Sequence, residues 1–128
     1  MRSLPTRIVK CTTDELIGQT YQVMRQLRPH IRAEDYLATI QQIQAVKNYQ
    51  LSAYFRGDEV VGVIGYSLDY RLSVAGRAIY VDDLVVDEGQ RNSGIGTSLL
   101  NAVIDEAKAE GCKAVILDSG KQRFDAHA

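Results

Sequence analysis

Residues 80–100 read YVDDLVVDEGQRNSGIGTSLL, and this stretch constrains the fold more tightly than any other. Residues 79–86 are β-branched and apolar apart from two aspartates, the composition of a strand covered on both faces. Residues 87–93 then break every periodicity. From Ile95 the apolar positions fall at Ile95, Leu99, Ala102, Val103 and Ala107, one stripe of a helix that begins near Gly94. A strand feeding a helix in this way leaves free backbone N–H groups and a partial positive charge at the turn, and Gly94 and Gly96 let a ligand approach without meeting a Cβ. Phosphate is the natural occupant. Arg91 can pair with a phosphate oxygen, and Thr97 and Ser98 offer hydroxyls in the first helical turn. A plain strand-to-helix turn would use the same two glycines, so Gly-x-Gly alone leaves both readings open.

Two nucleotide templates fail on spacing. The dinucleotide fingerprint needs a third glycine where Leu99 stands, and a P-loop needs a Gly-Lys-Ser/Thr run, whereas no lysine occurs between Lys47 and Lys108. What remains is Arg91-Asn92-Ser93-Gly94-Ile95-Gly96 after a strand ending Leu84-Val85-Val86. This turn closely resembles the coenzyme A motif of the GCN5-related N-acetyltransferase (GNAT) family. The resemblance extends to the order of strand 80–86, helix 94–110 and strand 114–118, and residues 118–127 look like the lead-in to that family's final helix. It covers most of the chain from Leu51 onward.

The resemblance implies an α/β fold with a mixed, mostly antiparallel sheet and helices on both faces, C-terminally truncated. It implies acetyl-CoA as cosubstrate, held by Leu84, Val85, Val86, Arg91, Asn92, Ser93, Gly94, Ile95, Gly96 and Thr97. The coenzyme would enter where the strand of residues 81–86 splays from that of residues 115–117, with a backbone N–H of Val85 or Val86 facing the thioester oxygen. The implied reaction is direct acetyl transfer to a primary amine of a small molecule or peptide in a ternary complex.

The residues agree with a mechanism that needs no covalent enzyme intermediate. Cys11 and Cys112 belong to no nucleophile arrangement, the two histidines have no paired acid, and no cluster has metal-ligand spacing, so no metal is expected. An ammonium substrate must lose a proton before it attacks. Asp82 and Asp83, midway along an apolar strand, are the candidates to bind the ammonium or take its proton, and a similar acidic pair occurs in family members that acetylate amino sugars. Strand alternation sends the two to opposite faces, so at most one is expected in a given cleft. A structural role for the pair, one exposed and one capping a turn, is the competing reading.

One departure bears on activity. Relatives continue past the counterpart of Ala126-His127 with a Phe-Tyr pair and closing strands, whereas this sequence ends at Ala128. The tyrosine proposed there as acid to the leaving thiolate has no counterpart among Tyr21, Tyr36, Tyr49, Tyr54, Tyr66, Tyr70 or Tyr80. The alternatives to an active acetyltransferase are therefore a non-catalytic acyl-CoA-binding module or an inactive fragment. A homodimer is expected, pairing or covering the strand of residues 113–117.

A chain of 128 residues, 45% hydrophobic and 24% charged, is expected to form one domain, residues 1–128, around a single core. The net charge of -1 argues against nucleic acid or an anionic membrane as partner. Two distant cysteines are no disulfide framework, and no apolar run is long enough for a membrane span or signal peptide, which leads to an expected cytoplasmic location.

The remaining segments complete the pattern. Residues 7–11 read as a strand. Thr12-x-x-Glu15 has capping-box spacing ahead of one helix whose face carries Leu16, Thr20, Val23, Met24 and Leu27 and which ends by Pro29. Residues 33–47 form a second, mostly polar helix expected on the surface. His30 and Arg32, in the link between them, lie where the resemblance puts acceptor recognition, against the plainer reading of a solvated loop. Residues 51–55 and 60–68 make a hairpin, a turn at 70–76 leads into 78–86, and the crossover helix makes the last two strands parallel.

Overall fold

In the computed structural model, which describes residues 4–117, strand β1 (Thr6–Lys10) pairs antiparallel with β2 (Tyr49–Arg56). The hairpin from β2 to β3 (Glu59–Arg71) and the turn at residues 72–75 leading to β4 (Gly76–Val86) extend an antiparallel meander. Between the first two strands come helices α1 (Asp14–Gln19), α2 (Tyr21–Leu27) and α3 (Ala33–Val46). After β4, helix α4 (Ile95–Ala109) crosses to β5 (Ala114–Leu117), which lies parallel to β4 from Ala78↔Ala114 to Val81↔Leu117. The described residues thus form a five-stranded sheet in sequence order, mostly antiparallel, with β5 at one edge. That is the α/β architecture expected from the resemblance. The lead-in expected at residues 118–127 lies outside the described residues.

Period-2 alternation divides the sheet into two faces. Tyr49, Leu51, Ala53, Phe55, Val63 and Val85 face α1–α3 and pack with Val23, Met24, Tyr36 and Ile40. Ile64, Tyr66, Ile79 and Val81 face the other way, against Ile95, Leu99, Val103 and Ala107 of α4. Those four α4 residues belong to the expected stripe, whose other member, Ala102, is half-buried. Burying each of the larger three contributes about 1.5–3 kcal/mol, enough to hold the helix by packing whatever its propensity.

The helical layer departs from expectation in detail. Thr13, not Thr12, caps α1: its Oγ1 accepts from the Leu16 N–H at 3.2 Å, so the Thr12/Glu15 capping box does not form. The single helix expected before Pro29 is two, because the Thr20 N–H bonds to Ile17 O and the Thr20 hydroxyl donates to the same carbonyl at 2.6 Å. This back-bonding pinches the backbone. Helix α3 is solvent-facing as expected, but it also buries Tyr36 and Ile40 and walls a pocket.

Thr20 Oγ1 and Tyr36 Oη lie 2.7 Å apart in the buried seam between these helices. Burial pushes the Tyr36 hydroxyl up to about 12, with the Thr20 bond partly opposing that rise. Thr20→Val should strand the phenol without a partner and cost about 1–3 kcal/mol in urea unfolding. Adding Tyr36→Phe should recover part of that loss, since no orphan then remains. A single variant as stable as the parent would remove this bond from the account of the helical layer.

Candidate active site

The β3–β4 ladder contains a register shift that decides what the site can be. Gly65 pairs with Asp83, yet the next residue, Tyr66, pairs with Val81, which leaves Asp82 as an extra residue on β4. Side-chain alternation therefore restarts across the bulge: Val81 faces α4, Val85 faces α1–α3, and both aspartates between them fall on the α1–α3 side. Asp82 and Asp83 line one pocket. The expectation that alternation would send them to opposite faces is thus corrected, and the reason is the inserted residue.

Asp83 is tied on both oxygens. Its Oδ1 accepts from Arg28 Nε at 2.8 Å and pairs with Nη2 at 2.7 Å, and its Oδ2 accepts from the Tyr49 hydroxyl at 2.7 Å. Arg28 also donates to Asp82 O at 3.3 Å. Asp82 is less committed. Its Oδ2 accepts from Ser67 Oγ at 2.9 Å, with Lys47 Nζ at 3.7 Å, and Oδ1 has no partner among the described residues. Desolvation first, then the Asp83 charge, raises the Tyr49 hydroxyl far above its ordinary value, so it stays protonated and donates.

Gly65 makes this geometry possible. A Cβ there would stand 2.1 Å from the Tyr49 hydroxyl oxygen, so only the missing side chain lets the phenol cross β3 to reach Asp83. The pocket, about 320 Å³, is roofed by the α2–α3 link and one side of α3. Tyr21 Oη donates to Ile31 O at 2.7 Å and pins that link. His30 reaches the pocket rim, whereas Arg32 pairs outward with Glu34. Both residues are exposed, as the solvated-loop reading has it, and His30 also borders the pocket.

The second opening, about 400 Å³, lies past the end of β4 and is lined by Val86, Arg91, Asn92, Gly94, Ile95, Gly96 and Thr97. Gly94 caps α4 with φ 83°, and no side chain caps that helix start. A Cβ built on Gly94 would meet nothing within 4 Å, so the space over the free N–H groups is open. This fits a phosphate group. Arg91 Nε donates to Val86 O at 3.3 Å, which keeps the guanidinium at the turn, and Ser93 Oγ is engaged with Gln90 O. Ile95 is buried beneath the opening, whereas Leu84, packed on the α4 side of the sheet, and Val85, packed on the other, do not line it, and neither does Ser93. The β4–β5 pairing runs as far as Val81↔Leu117, where the described residues end. No group of three or more potential metal ligands occurs among the described residues.

Sequence reasoning missed Arg28, Lys47, Tyr49, Gly65 and Ser67. None belongs to a motif, and they meet only through strand register and the packing of α2 and α3. The one available signal was the aspartate pair itself, since a charge inside an apolar strand demands partners.

The profile of the Acetyltransferase (GNAT) family matches residues 14–128. The uncharacterized N-acetyltransferase YhdJ of Bacillus subtilis is 32% identical over 117 residues, covering 91% of this chain and 81% of that protein. In fold, the chain is similar to the glucosamine-6-phosphate N-acetyltransferase of Arabidopsis thaliana, with a TM-score of 0.72 at 20% identity over 91% of this chain and 84% of that one. It is likewise similar to AAC(6')-Iy, solved with the bisubstrate analog CoA-S-monomethyl-acetylneamine, with a TM-score of 0.76 at 16% identity over 92% and 82%.

The Tyr49–Asp83 bond makes a prediction about stability and its pH dependence. Tyr49→Phe should cost about 1.5–3 kcal/mol at neutral pH, the range for a hydrogen bond to a charged group. In the folded parent the phenol keeps its proton while an unfolded tyrosine ionises near 10.0, so this contribution is full below pH 10 and is lost as pH rises above it. The variant's stability should accordingly fall less steeply than the parent's above pH 10. Equal stabilities and equal alkaline slopes in urea titrations would show that the bond contributes nothing.

Proposed function

We propose, from the premise that the chain belongs to the Acetyltransferase (GNAT) family, that it transfers an acetyl group from acetyl-CoA to a primary amine of a small molecule or peptide. The observation that carries this reading is the bulge that brings two carboxylates into one pocket on the strand whose end opens onto the uncapped start of α4. Val86 lies three residue steps along β4 from Asp83, about 10 Å of strand, so one extended ligand can run between the two openings.

Acetyl-CoA supplies the acetyl group as a thioester; the neutral amine attacks it, the new C–N bond replaces the C–S bond, and the amine's proton and the released thiol balance the reaction. The chain's part is to bind and position. The N–H groups at residues 94–97, with Arg91, hold the pyrophosphate, their partial positive charge facing the anion. Leu84, Val85 and Val86 carry the strand edge along which the acyl arm lies, and an N–H of Val85 or Val86 faces the thioester oxygen.

Between the aspartates the division of labour follows from their partners. Asp83, held by Arg28 and Tyr49 on both oxygens, is a positioning residue. Asp82, with one oxygen free among the described residues, binds the ammonium and takes its proton directly or through water.

Two measurements test this. Gly94→Asp should abolish acetyl-CoA binding in calorimetry, because its carboxylate enters the open space over the helix start and repels phosphate; Gly94→Asn, equally placed but neutral, should retain part of the affinity. Unchanged affinity in the aspartate variant would remove the turn from the coenzyme site. Separately, Asp82→Asn should lower kcat/KM for acetyl transfer by about 100-fold or more, the usual scale for a general base, with acetyl-CoA affinity intact. Full thiol release by that variant would assign the pair a structural role, while coenzyme binding without any thiol release by the parent would favour a non-catalytic acyl-CoA-binding module.

A further inference from the structure

The acceptor pocket carries cations as well as carboxylates. Asp82 and Asp83 are matched there by Arg28 and Lys47, with His30 adding a ring N–H donor at the rim. Arg28 spends Nε and Nη2 on Asp83 and on Asp82 O, and its Nη1 is unengaged among the described residues. Lys47 stands 3.7 Å from Asp82, a loose pair between partly exposed side chains. His30 has no partner among the described residues.

This balance says what the pocket accepts. Two permanent cations already match two carboxylates, so an acceptor that brings only an ammonium leaves the pocket with one excess positive charge, and a polycation leaves more. An acceptor that also carries an anion restores neutrality: its ammonium meets Asp82 Oδ1, unpartnered among the described residues, while its anion meets Lys47 or His30. The walls between these groups are apolar, formed by Met24, Ile31, Ile40 and Ile43, which suits a short carbon frame joining the two charges. We propose that the acceptor is a small zwitterionic amine, one ammonium and one carboxylate or phosphate on a compact apolar frame, and that Lys47 and His30 select for the anion. This rests on the acetyltransferase reading for the reaction, but its binding half can be measured without turnover.

The test uses the full chain saturated with coenzyme A, which permits binding but no acetyl transfer. Calorimetry would compare phenylalanine with phenethylamine, phosphoethanolamine with ethanolamine, and both pairs with spermidine. In at least one pair the anion-bearing member should bind ten-fold or more tightly than its partner, with spermidine weaker still, and the pair that shows the difference identifies carboxylate or phosphate. Lys47→Met combined with His30→Asn should erase that difference while acetyl-CoA affinity stays at the parent's value. Equal or tighter binding of the simple amines or spermidine, no binding by any anion-bearing member, or a preference that survives the double variant would overturn the proposal. Thiol release from acetyl-CoA with the preferred ligand is then scored separately: a zwitterion that binds selectively without releasing thiol supports the pocket's selectivity and counts against acetyl transfer.

Discussion

Three segments that are distant in sequence meet on the carboxylate of Asp83: β4 carries it, Arg28 comes from the end of α2, and Tyr49 opens β2. With its side chain about 11% exposed, this charge would be costly if left alone, and a single neighbour would not fill its lone pairs. Two Arg28 nitrogens on Oδ1 and the Tyr49 hydroxyl on Oδ2 meet that demand together. They also lock the α2–α3 link in height above the sheet, because Arg28 stands at its first residue and Tyr21 holds Ile31. The pocket's dimensions follow from this one satisfied charge. Gly65 belongs to the same arrangement, since any larger residue would stand where the phenol passes.

Strand β4 serves two sites because its bulge separates two regimes of alternation. Before it, Ile79 and Val81 pack on α4; after it, Val85 packs under the other helices. The extra residue keeps both charges on one side, so the α4 face of the sheet stays apolar while the opposite face carries the polar pocket. The α4 face in turn fixes the second site. Ile95 is buried in the first turn of the helix, and that anchor holds the uncapped N–H groups pointing past the end of β4. A side-chain cap at position 94 would compete for those groups; a left-handed glycine leaves them open.

The pocket's polar chemistry is asymmetric for the same reasons. Asp83 is engaged on both oxygens, whereas Asp82 faces a loosely held lysine and has one oxygen without a partner among the described residues. A carboxylate with both oxygens engaged has little left to offer a ligand; one with fewer donors is better placed to exchange partners with it. The two residues look equivalent in sequence, and only their neighbours distinguish them.

Much of this protein is determined by local pattern. The Arg-x-x-Gly-x-Gly turn, the apolar stripe of α4 and the alternation of β2, β3 and β4 each follow from periodicity or backbone sterics within a single short segment, which is why the strand-to-helix turn, the meander and the parallel last pair were legible in the sequence. The cap at Thr13 and the break at Thr20 were not, because Thr12 and Thr13 are equivalent cap candidates by sequence and the break at Thr20 goes with its back-bond to Ile17 and its buried contact with Tyr36 on another helix. The site was half legible: the aspartate pair stood out as charge in an apolar strand, but alternation pointed its members apart. Their convergence, and the partnership of Arg28, Lys47, Tyr49 and Ser67, exist only in the tertiary structure. A bulge is a mismatch between two strands, and an ion pair across 55 residues is a product of packing, so neither has a signature within the segment that carries it.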